Sequence, residues 1–157
     1  MRNASMEDIT KFLDCRRVAL VGVSRDSRHF SRALFREFLS QGYDAVPVNP
    51  QAAEIEGRKS FPRLSAITPP VAAALLMTGS EATTDQQVGE CNAAGIQNVW
   101  IYKSHPPCAQ HEQALEASRA HGGTVVEGYC PFMFLPRPSL VHRVHGFFMK
   151  VTGHYPL

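Results

Sequence analysis

No stretch of this 157-residue chain stays apolar for long. The first apolar run, in "RRVALVGVS", is broken by Ser24, Arg25 and Asp26 well short of a bilayer span or a signal h-region, so neither is expected and the chain is assigned to the cytoplasm. Cysteine is scarce. Cys15, Cys91, Cys108 and Cys130 follow no disulfide-framework spacing, and four free thiols are the expected state in a reducing compartment. A formal charge of +2 is too small to argue for nucleic acid as a partner. Acidic side chains stop at Glu127; beyond it only Arg137, Arg143 and Lys150 are charged, with His142, His145 and His154 able to add to them, so the C-terminal end is locally basic. There is no internal repeat and no low-complexity tract. With 44% apolar and 19% charged residues, the composition is that of a folded globular chain rather than a disordered one.

Short apolar runs do occur, and they alternate with helical patterns. "SMEDITKFLD" offers Ser5 as an N-cap with Asp8 three residues on and Ile9, Phe12 and Leu13 at helical spacing, which predicts a short helix lying as a lid on the sheet. "VALVGVS" then reads as a strand, "SRALFREFLSQG" as a helix with Leu34, Phe35, Phe38 and Leu39 on one face, and "DAVPVNP" as a second strand. A small helix is expected at 62–67, a third strand in "VAAALLM", a helix in "TTDQQVGECNAAG" with Val88, Cys91 and Ala94 on one face, and a fourth strand in "NVWIY". "AQHEQALEASRAHGG" and "TVVEG" close the series as helix and fifth strand. Strands alternating with helices imply a parallel sheet with right-handed crossovers, here a three-layer Rossmann-like α/β domain of about five strands over residues 1–137. Residues 138–157 form a basic, aromatic C-terminal appendage, with Leu140, Val144, Phe147 and Phe148 on the apolar side of a short helix.

In open sheets of this kind a ligand sits beyond the carboxyl ends of the strands, and the first strand-to-helix loop delivers its phosphate to a helix N-terminus. The loop here departs from the dinucleotide fingerprint. Gly22 fills the first glycine position, but Ser24 and Ser27 stand at the next two, and the second strand ends in Asn49 and Pro50 where an acidic ribose partner is expected. What the loop offers instead is the hydroxyls of Ser24, Ser27 and Ser31 with Arg25, Arg28 and Arg32 for charge-assisted hydrogen bonds to phosphate oxygens. Against this stands the plainer reading of a solvated basic loop.

The opening "VALVGVSRDSRHFSRALFREFLSQGYDAVPVNPQAAEIEGRKSFPRLSAI" resembles the small stand-alone CoA-binding proteins, a family similar to the CoA-binding domain of the succinyl-CoA synthetase α subunit. The matching features are "VGVS" with Ser31 opening the helix, "GYDAVPVNP", "EIEG", "FPRLSAI", "VWIY" and "EGYCP", spanning roughly Ile9 to Pro131. The resemblance implies coenzyme A or an acyl-CoA as ligand. Its diphosphate would lie at Gly22, Val23, Ser24 and the Ser31 end of the helix, its adenosine near Val48, Asn49 and Pro50, with Arg25 and Arg28 against the 3′-phosphate or diphosphate. Two positions depart from the family pattern: "MTGSEATT" stands where a basic residue is common, and Tyr102 and Lys103 where a glutamine is common.

No catalytic motif is present: neither a nucleophile elbow, a P-loop, a zincin motif nor a carboxylate pair. The chain is too short to hold the second domain that a synthetase of the related kind uses. His105, Cys108 and His111 are spaced as possible zinc ligands, with Cys130 or His121 to complete a set, but two prolines intervene and no zinc signature matches, which favours plain loop and helix-end residues. Cys130 ends the fifth strand, either as a structural thiol or as a partner for a mixed disulfide with CoA. The tail either folds back on the sheet or a second copy, or touches an anionic surface or a protein partner, without stable membrane insertion. The rival functional readings are an NAD(P)- or other nucleotide-dependent enzyme with a degenerate glycine loop, and an interaction module with a vestigial pocket.

Overall fold

The computed structural model describes residues 4–77, 81–102 and 109–135; the basic tail 138–157, with His105 and Cys108, lies outside them. The chain opens with helix α1, Met6–Asp14, and alternates thereafter: β1 Arg17–Val21, α2 Phe30–Ser40, β2 Asp44–Val48, the small strands β3 Glu54–Ile55 and β4 Arg58–Lys59, then β5 Ala73–Leu76. Helix α3, Glu81–Ala93, leads to β6 Asn98–Ile101, and α4, Ala109–Ala120, to β7 Thr124–Glu127. Single 3₁₀ turns occupy Leu64–Ala66 and Pro131–Met133.

The main sheet has five strands, all parallel, in the order β2-β1-β5-β6-β7. This is the Rossmann-like α/β fold that the alternating pattern predicts. Alternation along each strand sends side chains to two separate cores. Val18, Leu20, Leu75, Trp100 and Val126 meet Ile9 and Phe12 of α1 and Leu34, Phe35 and Phe38 of α2 on one face. Ala19, Val21, Leu76, Val99 and Ile101 meet Val88 and Cys91 of α3 and Leu115 of α4 on the other. Ala94, expected on the buried face of its helix, is exposed just beyond the helix end.

Helix α1 begins as its sequence predicts. Ser5 accepts from the Asp8 N–H and its own N–H donates to Asp8 Oδ2, both at 3.1 Å, a reciprocal capping box. Phe12 then meets Trp100 edge-on at 5.2 Å, and the indole N–H donates to the Tyr129 carbonyl at 2.9 Å, so α1 closes over β6 and β7.

Chain direction around β1 creates the crevice that matters. From β1 the chain moves to β2 on one side, then returns through β5 on the other, so α2 and α3 leave adjacent strands toward opposite faces. That divergence opens a gap at the carboxyl ends, the usual ligand position in such sheets.

Candidate functional site

Gly22 is the first residue past β1 and sits in this gap. Its N–H donates to the Val48 carbonyl at 3.1 Å, its φ is +89°, and a Cβ would stand 3.1 Å from the Met77 carbonyl oxygen. Both the left-handed conformation and the close approach of the chain after β5 require glycine. A cavity of about 320 Å³ opens beside it, and Gly22, Val48, Asn49 and Pro50 all line it. Four of the nine residues expected to bind ligand are thus brought together by the ends of β1 and β2.

The rest of the expected set runs along the loop and the start of α2. Val23 is fully buried, leaving only its main chain to meet a ligand, and its carbonyl accepts from Asn49 Nδ2 at 2.8 Å. Asn49 Oδ1 in turn accepts from the Gln51 N–H at 2.8 Å. The side chain that replaces an acidic ribose partner is therefore a strut between two loops. Ser24 is half-buried, whereas Arg25 and Arg28 are exposed, Arg28 lying 3.7 Å from Asp26.

Two expectations for this loop are corrected. Ser31 does not open α2; the helix starts at Phe30, and His29 is the N-cap, its Nδ1 accepting from the Ser31 N–H at 3.2 Å. Ser31 is buried, and its Oγ accepts from the Ser24 N–H and lies 2.9 Å from His29 Nδ1. Arg32, expected to face phosphate, is instead a brace: Nε donates to Glu56 Oε1 at 3.0 Å, and Nη1 to the carbonyls of Ser24 and Arg25, each at 3.2 Å. Arg36 joins it, donating to Glu56 at 2.8 Å and to the Ser27 carbonyl at 3.0 Å. The hydrogen bonds from Arg36 and then Arg32 hold the Glu56 carboxyl below the usual carboxylate range.

A family model described as a CoA binding domain matches residues 16–136. The chain belongs to the CoA-binding-domain family. Solved structures agree in fold: a hypothetical protein from Pyrococcus horikoshii OT3 is 24% identical with a TM-score of 0.69, over 83% of this chain and 93% of that one. A Thermus thermophilus protein is 23% identical at 0.65, over 88% and 96%. The dinucleotide-forming acetyl-coenzyme A synthetase 1 of Ca. Korarchaeum cryptofilum is 22% identical at 0.61, over 72% of this chain but 26% of its own length. A search of curated proteins returned no match.

Beyond the expected residues, this CoA-binding domain carries an aromatic group beyond the carboxyl ends of the strands. Phe30 stacks on Tyr102 at 4.7 Å and meets Phe132 edge-on at 5.7 Å; Phe30 is itself 36% exposed. No periodicity marks this cluster, since its members come from α2, the end of β6 and the turn after β7. Cys15, Cys91 and Cys130 are free thiols, as expected. Burial pushes Cys91 up to about 12 and also raises Cys130, which makes both weak nucleophiles near neutral pH. Among the described residues no cluster of metal-ligating side chains forms, and no helix is long and apolar enough to cross a membrane. The His105, Cys108 and His111 set lies outside the described residues, the last by its side chain.

Proposed function

We propose that this chain binds coenzyme A or an acyl-CoA and performs no catalytic step of its own. The observation that carries the reading is the cavity at Gly22 and Val48–Pro50, at the switch point of a CoA-binding-domain chain. The diphosphate lies along the main chain of Gly22, Val23 and Ser24, where the Gly22 and Ser24 N–H groups are already bonded to the Val48 carbonyl and Ser31 Oγ, and against the positive end of α2 near Ser31, while the adenosine enters the cavity between Gly22 and Asn49–Pro50. Arg25 and Arg28, exposed beside that path, supply the cationic charge that three phosphate groups call for, a role Arg32 cannot share while it braces Glu56. We place the protein in the cytoplasm, a compartment that suits its free thiols.

A thermal-shift series with CoA, acetyl-CoA, dephospho-CoA, NAD and NADP tests this. A ligand that binds only the folded state adds about 2.7 kcal/mol of stability at a hundredfold excess over Kd. The expected result is a raised midpoint with CoA and acetyl-CoA, less with dephospho-CoA, and a smaller CoA shift in Arg25→Ala and Arg28→Ala. No shift with millimolar CoA, or a larger one with NAD or NADP, rejects the reading.

A further inference from the structure

The second wall of the cavity is α3, which turns a polar stripe toward it: Thr83, Gln86, Gln87 and Glu90, at i, i+3, i+4 and i+7. The stripe opposite, Thr84, Val88 and Cys91, is buried against the sheet. Val21, Val48 and Leu64, all buried residues, supply the apolar part of the lining. A cavity with an apolar part and primary amides along one wall is a place for a heterocycle read along its edge.

Within the stripe, Gln86 donates from Nε2 to Glu90 Oε1 at 3.1 Å. Gln87 differs: its Oε1 is covered by protein, and no donor among the described residues reaches it. A buried amide oxygen left without a donor destabilises the fold, and a turn of the amide that swings it out into the cavity lets a donor on an incoming ligand satisfy it. A glutamine amide presents an acceptor and a donor side by side in one plane. The matching edge is an amino group next to a ring nitrogen, as the 6-amino group of adenine stands next to N7 or N1.

We infer that Gln87 is a specificity-determining residue, which turns its amide about the last side-chain torsion to form a paired hydrogen bond with the 6-amino edge of the adenine. The inference rests on the reading that the adenosine end of CoA occupies this cavity. It adds the residue that makes the site select a 6-aminopurine over purines without that group.

The test compares, by calorimetry, 3′,5′-adenosine diphosphate with its counterpart lacking the 6-amino group, on the wild-type chain and on Gln87→Met, with CoA as a third ligand. A bidentate amide–adenine pair is expected to favour the amino form by about tenfold or more in the wild type. Gln87→Met brings that ratio close to one while raising the unfolding midpoint of the ligand-free protein, because the orphaned oxygen is gone. A wild-type ratio within twofold, or a tenfold preference that survives in Gln87→Met, overturns the inference while CoA binding still stands. Failure of CoA itself to bind overturns the functional reading and this inference together.

Discussion

Gly22 joins three chain segments at once: its N–H ties the first loop to the end of β2, and its α-carbon leaves room for the carbonyl that follows β5. An alanine there meets two penalties. The left-handed conformation costs a residue with a Cβ about 1–2 kcal/mol, and the new methyl group presses on the Met77 carbonyl. Gly22→Ala is therefore expected to lose at least about 1 kcal/mol in urea denaturation, with the slope unchanged and a weaker CoA shift. An unaltered midpoint rules out the close approach described for this turn. The polar residues around it are mostly engaged with one another. Asn49 braces Val23 and Gln51, His29 caps α2 through Ser31, and Arg32 holds the Ser24 and Arg25 carbonyls. This leaves Arg25 and Arg28 as the loop cations turned outward.

The hairpin of β3 and β4 is too short to be stable alone, and it survives because α2 clamps its turn. Glu56 and Gly57 both have positive φ, the two-residue turn that matches strand twist, although Glu56 has a Cβ that disfavours it. Its carboxylate is gripped by Arg32 and Arg36, which offsets the strain and fixes hairpin, helix and ligand loop to one another. Because these guanidinium groups lower the Glu56 pKa on folding, its stabilising contribution is complete above the unfolded carboxylate value of about 4.3 and is lost as pH falls through the lower folded value. Glu56→Gln is thus expected to be less stable than wild type at neutral pH, with the difference closing in acid. Parallel urea titrations across that range check it, and a difference that stays constant with pH excludes the ion pairs as its source.

At the scale of the whole molecule, two cores share one sheet, and each helix closes one of them. Leu135, 2% exposed, belongs to the core under α1 and α2, and the family match ends one residue later. A chain cut after Arg137 should therefore unfold within a few degrees of full length, whereas one cut before Pro131 should lose several kcal/mol of burial from Met133 and Leu135. Circular dichroism melts of the two truncations distinguish these outcomes; a large loss in the longer piece means that residues 138–157 are integral to the domain rather than an appendage.

The order of strands and helices was legible in the sequence because burial on a sheet or helix face repeats at a local period, and apart from Arg17 at the start of β1 every main-sheet strand lies within the run that predicts it. Gly22, the end of β2 at Val48–Pro50 and the capping box at Ser5 were legible for the same reason, each being a feature of a few adjacent residues. The availability of the polar groups was decided only by tertiary structure. Arg32 reads as a phosphate ligand until Glu56, 24 residues on, arrives beside it, and Asn49 as a ligand-facing amide until it meets Val23, 26 residues back. Gln87 reads as one more surface residue of a polar helix until the chain reversal around β1 brings α3 to the end of β2. A side chain's type sets what it can bond, but its freedom to do so depends on partners that only the folded sheet brings within reach.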